Sequence, residues 1–254
     1  MASICLYLGG MVLNDWFDRN LDALERPDRP IPSGRISPKT ALVSGILLLI
    51  AGISLATVVS IDLGCPLAAC YSLLLSLMIL CYNGWAKSKP FGPFIMGACR
   101  TLNVLLGTAV ACSLPNAYGM AASCAVGVYI AGVTTVARYE TQIVPMWAIQ
   151  LGRLASLAPV AVAFTVVFAS ATHAGPWTIL LAGLVIVAQS LIFDCLVNEP
   201  SGPKVPRHIG ALLGQMIRID AVLASAWVGF AGFGLLGLWL VARFLRRFKA
   251  LYSS

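Results

Sequence analysis

Charged residues are what this sequence has least of. Asp, Glu, Lys and Arg make up 11% of its 254 residues, and only ten residues are acidic, whereas hydrophobic residues make up 59%. So few polar side chains cannot cover a water-facing surface, which excludes an ordinary soluble domain. Because no soluble basic domain accompanies the apolar sequence, the net charge of +7 does not indicate a nucleic-acid-binding protein, and no nucleic-acid partner is expected.

Motifs that bind transition metals are also missing. The chain has two histidines, far apart at His173 and His208, and its eight cysteines include no C-x-x-C pair. No H-E-x-x-H sequence is present either, so a zinc-type site is not expected. The cysteines lie mostly inside apolar runs and are interpreted as small buried hydrophobic residues.

Long apolar runs dominate what remains. A helix needs about 20 residues to cross the hydrocarbon core of a bilayer. Residues 1–13 are apolar but cover only about 20 Å, so they are interpreted as the end of a helix that begins upstream. We therefore expect an all-α, polytopic transmembrane helix bundle forming one domain over residues 1–254. Seven predicted spans lie at 40–59, 66–82, 93–112, 117–137, 151–171, 177–197 and 221–241.

Basic residues are distributed unevenly between the loops of this predicted bundle. The short loops at 60–65, 113–116 and 172–176 contain no Lys or Arg. Cytoplasmic loops are enriched in basic residues, so the opposite side, which includes residues 14–22, is predicted to face the cytoplasm. That basic side carries, among others, Lys39, Lys87, Arg138, Lys204, Arg207 and Arg218. A basic group after the last run conflicts with this orientation, so either the tail tolerates that placement or one span is miscounted. The group consists of Arg243, Arg246, Arg247 and Lys249.

Three aspartates stand out where the first apolar run ends. Asp15, Asp18 and Asp22 fall within about 60° of one another on a helix, and Asn14 lies about 100° from Asp15. Carboxylates so close repel unless cations neutralise them, and Mg²⁺ favours oxygen ligands while sharing carboxylates with a substrate phosphate. These four residues are therefore the predicted Mg²⁺ ligands of a diphosphate site at the membrane surface. The alternative is a helix end whose solvated carboxylates pair with Arg19 and Arg26.

The segment that contains these aspartates resembles the first motif of the UbiA superfamily of intramembrane prenyltransferases. The pattern N-D-x-x-D-x-x-x-D followed by R-P-x-R-P-I-P-x-G is met at every position between Asn14 and Gly34. A second stretch, from Tyr82 to Gly107, looks like the EboC-like branch. The resemblance implies nine transmembrane helices, of which about eight are expected here, with the first missing because of a truncated or misassigned start.

The resemblance also implies roles for residues near the second stretch. Lys87 is expected to bind the diphosphate, with Lys89 beside it, and Tyr82 to lie near the reacting carbon. Four residues separate Tyr82 from Lys87, one more than in the usual Y-x-x-x-K spacing. The alternative is that these residues only anchor a helix end among lipid headgroups. In the first motif, Arg26 and Arg29 belong to a proline-rich segment expected to cap the site and bind substrate.

Arg100 is a charged residue inside the third predicted run. An ionisable group in a span usually faces a cavity within the bundle, because an unpaired charge is costly there. Asn103 follows three residues later on the same helix face, so both are predicted to line a polar substrate chamber. The alternative is that Arg100 pairs with a carboxylate such as Asp194.

The second motif departs most from the superfamily. Members usually carry D-x-x-x-D after the sixth helix, whereas this chain has only Glu140, with Arg138 beside it, in the segment 134–142. An arginine can bind diphosphate oxygens through two parallel hydrogen bonds, so Arg138 is a candidate catalytic residue and Glu140 a candidate substrate-binding residue. The A-R-x-E form also looks like the EboC-like branch.

The resemblance implies a Mg²⁺-dependent transfer of a prenyl group from a polyprenyl diphosphate to an acceptor within the membrane. The predicted catalytic residues are Asp15, Asp18, Asp22, Arg138 and Tyr82. The rival hypothesis is a non-catalytic lipid-binding or transport component of a biosynthetic pathway. Complete retention of the first motif favours the enzyme, whereas loss of the second motif favours the rival.

Overall fold

The computed structural model describes residues 1–170, 175–237 and 240–241. Within these ranges the chain has no β-strand, which confirms the all-α prediction. His173 and the basic group from Arg243 to Lys249 lie outside the described residues. The helices are α1 (Ala2–Glu25), α2 (Pro38–Asp62), α3 (Leu67–Gly84), α4 (Gly92–Thr108), α5 (Ala117–Ala137), α6 (Met146–Ser170), α7 (Gly175–Asn198), α8 (Val205–Gly214) and α9 (Met216–Val228).

Seven segments of the described residues are long and apolar enough to cross a membrane. Their surfaces carry exposed large apolar side chains, for example Leu47, Leu73 and Leu184, which lipid would cover and water would not. The chain is therefore a multi-pass integral membrane protein. The candidate spans are Pro38–Asp62, Leu67–Gly84, Gly92–Ala111, Ala117–Ala137, Met146–Ala169, Pro176–Asn198 and Val205–Val228.

The seventh predicted span, 221–241, is wrong in position. The last candidate span is Val205–Val228, which α8 and α9 form together, and a 3₁₀ turn follows at Gly229–Gly234. Proline is tolerated in the first turn of a helix, because the N–H that it lacks would have no partner there. Pro206 is therefore compatible with a helix, α8, that begins at Val205, before the predicted start of the span at residue 221. Arg207 and Arg218, predicted to lie in a loop, therefore belong to the span.

The chain divides into two compact units, Met1–Asn116 and Ala117–Ser254. The first unit contains α1 to α4 and the second contains α5 to α9. The single domain predicted over 1–254 stays a prediction. The core of the first unit is formed by apolar residues of all four helices and the turn after α4: Leu6, Leu13, Leu49, Ala56, Ala68, Leu75, Cys99, Leu106 and Ala109.

In the first unit, α1 and α2 pack closely because two glycines of α2 leave room for leucines of α1. A Cβ atom added at Gly45 would lie 2.7 Å from Cγ of Leu13, and one added at Gly52 would lie 2.6 Å from Cγ of Leu6. Carbon atoms attract at about 3.5–4.0 Å and repel at such shorter distances. Small residues of this kind let membrane helices approach each other. The packing fixes α1, which carries the predicted acidic site.

In the second unit, α5 and α6 approach at Gly132, where an added Cβ atom would lie 2.5 Å from Cβ of Ala155. Tyr129 is fully buried on α5, and its hydroxyl donates a hydrogen bond of 2.6 Å to the carbonyl oxygen of Leu212 on α8. A buried hydroxyl needs such a partner. The bond therefore ties α8 to α5 within this unit.

Candidate functional site

The acidic residues predicted to form the site lie on the last turns of α1. This helix continues without a break through Asp22 and ends at Glu25, where Arg26 caps it with a backbone N–H bond to the carbonyl oxygen of Asp22. Pro27 follows, and the residue before a proline is disfavoured in helical conformation. One helical face therefore carries the carboxylates of Asp15, Asp18 and Asp22, as the spacing predicts.

Lys87 reaches this face from another part of the first unit. It lies in the 3₁₀ turn Ala86–Ser88 that follows α3, and its Nζ donates to Oδ1 of Asn14 at 2.9 Å. Nζ also forms an ion pair with Oδ2 of Asp18. The same carboxylate oxygen accepts a bond of 3.0 Å from Nδ2 of Asn14. Lys87, Asn14 and Asp18 thus form one connected polar cluster. In it, the ammonium group of Lys87 binds side-chain oxygens of both Asn14 and Asp18.

Arg29 supplies the second cation from the loop after α1. One guanidinium nitrogen donates to Oδ2 of Asp22 at 2.9 Å and to Oδ1 of Asp15 at 3.3 Å. The side chain of Asp22 is only 7% exposed, and a carboxylate is costly to bury unless a cation pairs with it. The loop is held by its own backbone bonds, such as the one from Ser33 N to the Arg29 carbonyl oxygen. The loop therefore holds Arg29 over the carboxylates.

Arg19, one of the two arginines in the alternative pairing, has partners other than the carboxylates. Arg19 donates to the carbonyl oxygen of Trp16 at 2.7 Å, and its guanidinium lies 4.2 Å from the centre of the Trp16 ring. A cation over an aromatic face is stabilised by the ring quadrupole. Arg29 and Lys87, rather than Arg19, supply the positive charge that balances the acidic face.

The electrostatics of this face suit a hard cation. Partial burial raises the pKa of the Asp15 carboxyl above its ordinary value; the Arg29 guanidinium opposes this shift, and Asp22 and Asp18 reinforce it. Among the described residues, no three His, Cys, Asp or Glu side chains form a protein cage for a metal. Mg²⁺ seldom uses such a cage, because it keeps several waters and shares a few carboxylates with phosphate oxygens. The oxygen donors present fit Mg²⁺ in that mode.

The other residues predicted near Lys87 differ in their surroundings. Tyr82 is buried near the end of α3, whereas Lys89 is exposed just after the 3₁₀ turn. Asn83, for which no role was predicted, donates from Nδ2 to the carbonyl oxygen of Gly10 at 3.4 Å. The end of α3 is thus attached to α1, which explains how Lys87 can reach Asn14 over a long sequence separation.

Arg100 and Asn103 lie on α4, one turn apart, and both are partly buried. Oδ1 of Asn103 accepts a bond of 2.6 Å from the hydroxyl of Ser3, at the start of α1. No motif indicated Ser3, because a single serine in an apolar run is compatible with many partners. Asp194, the suggested partner of Arg100, accepts a bond of 2.5 Å from Arg153.

Arg138 and Glu140 belong to the second unit, which is described by itself. Arg138 directly follows α5 and is exposed, and Glu140 lies two residues later in a turn. Backbone bonds of 3.1 Å from Arg138 N to the Thr134 carbonyl oxygen, and from Glu140 N to that of Ala137, continue the helical winding past the end of α5. The two side chains are thus presented at one end of α5.

Comparisons with known proteins identify a family and several relatives of this chain. The UbiA prenyltransferase family matches residues 1–213. The digeranylgeranylglyceryl phosphate synthase of Methanothrix thermoacetophila is 43% identical over 84 residues, covering 32% of this chain and 29% of that protein. The corresponding synthase of Methanopyrus kandleri is 37% identical over 111 residues, with coverages of 42% and 38%.

A chloroplastic chlorophyll synthase of Arabidopsis thaliana is 32% identical over 109 residues, which cover 39% of this chain and 27% of that protein. The chain thus spans between about a quarter and two fifths of the length of these relatives. No solved structure matches it. The family match covers most of the chain and includes the acidic face of α1, the Arg29 loop and Lys87. The chain belongs to the UbiA prenyltransferase family.

Proposed function

We propose that this protein transfers a prenyl group from a polyprenyl diphosphate to an acceptor within the membrane. The observation that carries the proposal is the joining of three carboxylates on α1 with two cations from separate segments, Arg29 and Lys87. Acidic residues suit a divalent cation and basic residues suit a diphosphate, so one site combines both needs. The names of the relatives refer to a glyceryl phosphate lipid and to chlorophyll, and they leave the acceptor open.

The acidic face is the proposed metal site. Mg²⁺ bound by Asn14, Asp15, Asp18 and Asp22 would supply positive charge that neutralises the diphosphate and stabilises it as a leaving group. The lysine and arginine that now neutralise these carboxylates are then available to the diphosphate oxygens. Arg26 lies close to Arg29 in sequence, and Lys89 lies close to Lys87. These two residues are also proposed to bind the diphosphate.

Charge develops on both sides of the breaking bond. As the C–O bond lengthens, negative charge grows on the diphosphate, and Lys87, Arg29 and Arg100 are proposed to stabilise it. The allylic carbon becomes cationic at the same time, and the face of the Tyr82 ring can stabilise that charge in a buried setting. Asn103, held by Ser3, would line the chamber beside Arg100.

Arg138 is also proposed to bind diphosphate oxygens. Its planar guanidinium can hold two phosphate oxygens at once, which would compensate for carboxylates missing from the second motif. Glu140 would orient that arginine. The EboC-like form of this motif stays a prediction.

The orientation proposed for the membrane places the acidic face in the cytoplasm. It follows from loops without Lys or Arg on the opposite side, at 60–65 and 113–116. Soluble prenyl diphosphate or a phosphorylated acceptor would then reach the site from the cytoplasm.

The proposal is tested by binding of a non-hydrolysable donor, geranylgeranyl thiolodiphosphate, to the purified protein in detergent. Binding is measured with Mg²⁺ and again with EDTA. Asp18→Asn keeps the size of the side chain and removes its charge, so we expect Mg²⁺-dependent binding to be lost while the melting temperature stays close to that of the wild type. Unchanged affinity and metal dependence in this variant would show that the metal site is assigned wrongly.

Asp28→Asn provides the matched control. Asp28 is an exposed aspartate in the loop after α1, next to Arg29 in sequence. Its backbone carbonyl oxygen, rather than its side chain, accepts a hydrogen bond from Arg35. This variant should bind the analogue as the wild type does.

The rival hypothesis of a lipid-binding or transport component is tested with geranylgeranyl diphosphate itself. Release of diphosphate by the wild type in the presence of membrane extract, and its loss in Asp18→Asn, support the enzyme. Metal-dependent binding of the donor without any release would favour the rival.

A further inference from the structure

Two cysteines of the first unit meet at the end of the helices farthest from the acidic face. Cys65 follows α2, and Cys112 follows the 3₁₀ turn after α4. Both helices begin near the acidic face, α2 after the Arg29 loop and α4 after the turn that carries Lys87. The spans Pro38–Asp62 and Gly92–Ala111 have 25 and 20 residues, so at 1.5 Å per residue each covers about 30 Å or more, enough to cross the hydrocarbon core. The two cysteines therefore lie at the opposite membrane surface.

The side chain of Cys112 reaches the turn that carries Cys65. Its Sγ lies 3.8 Å from the carbonyl oxygen of Leu63, two residues before Cys65 in sequence, and Cys65 is the neighbour that most affects the pKa of the Cys112 thiol. Both residues are outside the candidate spans; Cys112 is exposed and Cys65 is partly exposed. The interpretation of the cysteines as small buried hydrophobic residues does not describe this pair, because neither is buried.

Helix-end turns hold both cysteines in place. Gly64, at φ +62°, ends α2 in a left-handed turn, and the N–H of Cys65 bonds to the carbonyl oxygen of Ser60 at 2.9 Å. This is the Schellman arrangement of a helix end. Cys112 itself has φ +48°, a conformation normally taken by glycine or asparagine. Turns thus fix the backbone of both cysteines, and a disulfide bond would join their sulfur atoms at about 2.05 Å.

We propose that Cys65 and Cys112 form a disulfide bond that links the α2–α3 turn to the end of α4 on the membrane surface opposite the acidic site. The proposal uses the orientation proposed above, because that surface then faces an oxidising compartment in which disulfides persist. It does not depend on prenyl transfer.

The chemistry requires a disulfide-bearing oxidant, such as a thiol–disulfide exchange protein or oxidised glutathione. The thiolate of one cysteine attacks a sulfur of that oxidant and displaces one thiolate from it. The second cysteine thiolate then attacks the mixed disulfide and displaces the other. The two cysteine thiols of this chain lose two electrons and two protons, and the oxidant becomes two thiols.

Exchange should become faster as the pH rises. The hydrogen bond with Cys65 raises the pKa of the Cys112 thiol above its ordinary value, so less of it is thiolate at neutral pH. The thiolate is the attacking species, and its fraction grows as the pH approaches that raised value.

The test uses the full chain, purified in detergent under reducing conditions. After removal of the reductant, the protein is exposed to oxidised glutathione, remaining thiols are blocked with N-ethylmaleimide, and peptides are identified by mass spectrometry. We expect one linked pair, Cys65 with Cys112, a mass lower by two hydrogen atoms, and a higher melting temperature for the oxidised protein. Linkage of Cys112 to another cysteine, or glutathione adducts on both residues without a link, would overturn the proposal.

Two serine variants separate this pair from general oxidation. Cys65→Ser should lose both the linked peptide and the rise in melting temperature. Cys70→Ser changes an exposed cysteine of the neighbouring α3 and should keep both. In native membranes that are blocked with N-ethylmaleimide at lysis, the pair should already be oxidised. Two blocked thiols there would show that the link is not formed in the cell, even if the purified protein can form it.

Discussion

The two units carry opposite charges in the segments that are proposed to bind diphosphate. In the first unit, each of the three carboxylates of the acidic face contacts a basic residue, Arg29 or Lys87. At the end of α5 in the second unit, the only acidic residue of the motif is Glu140, and the exposed residue beside it is Arg138. An acidic site needs a metal before it can bind an anion, whereas an arginine binds one directly.

Under the proposed function, the second motif would keep its role with a different chemistry, an arginine in place of carboxylates that bind a metal. A metal-binding site depends on oxygen donors and tolerates added water. A site built on arginine depends on one planar group and its exact orientation. The contrast therefore makes different predictions for conservative substitutions in the two units.

The largest effect is expected at Arg138. Arg138→Ala should lower turnover by roughly 30- to 1000-fold, equivalent to about 2–4 kcal/mol of transition-state stabilisation. Arg138→Lys should be nearly as harmful, because an ammonium group cannot reproduce two parallel hydrogen bonds. Diphosphate release from geranylgeranyl diphosphate is the measurement.

Arg207→Ala is the matched control for Arg138, because Arg207 is another exposed arginine of the second unit, at the start of α8. It should release diphosphate at the wild-type rate. Full activity in Arg138→Ala would remove the contrast between the units, since the second unit would then add nothing to the chemistry.

In the first unit, Arg29→Ala should lower the free energy of unfolding by about 3 kcal/mol, because it leaves the buried Asp22 carboxylate without its partner. The double variant Asp22→Asn/Arg29→Ala should recover much of that loss, since no buried charge remains. Thermal melting of the three proteins in detergent measures both effects.

Arg35→Ala, in the same loop, provides the comparison for Arg29. Arg35 is exposed and bonds to the Asp28 carbonyl oxygen and the Ser33 hydroxyl, so its loss should change stability little. An equal loss in both arginine variants would mean that the loop, and not the buried ion pair, determines stability.

A smaller effect is expected for the partner of Asp18. The side chain of Asp18 is 18% exposed, compared with 7% for Asp22, so water screens it better. Lys87→Gln should cost about 1 kcal/mol of stability and should weaken binding of the thiolodiphosphate analogue. Lys39→Gln, which changes an exposed lysine at the start of α2, should alter neither. Unchanged binding in Lys87→Gln would contradict the proposed role of this lysine.

The smallest effect is expected for Glu140→Gln. If Glu140 only orients Arg138, an amide oxygen can still accept a hydrogen bond, and turnover should fall by about threefold or less. A loss as large as that of Arg138→Ala would indicate that Glu140 binds a metal. The second unit would then resemble the first, and the contrast between them would fail.

The sequence predicted features that depend on local spacing. The acidic face of α1 follows from helical geometry, and six of the seven spans follow from apolar runs of sufficient length. The seventh was misplaced because Arg207, His208 and Arg218 interrupt the hydropathy of Val205–Val228. A helix that buries one face tolerates polar residues on the others, and a simple count of apolar residues misses such a segment.

Features that depend on distant contacts could not be predicted. The bond between Ser3 and Asn103 joins residues a hundred positions apart, and the contact between Cys65 and Cys112 depends on how two helices end. The pairing of Arg29 with Asp22 was also not predicted, although both residues belong to the first motif. A sequence motif identifies residues but not which of them contact one another.

The packing of α1 against α2 makes the acidic site sensitive to the length of the chain. Leu6 and Leu13 occupy the spaces at Gly52 and Gly45, so the register of the two helices is fixed at two points seven residues apart on each helix. One residue inserted between Leu13 and Asn14 would leave those contacts in place but rotate the rest of α1 by about 100°. The carboxylates would turn away from Lys87, which is held by the turn after α3. A change that removes no functional side chain would thus separate the acidic face from this lysine.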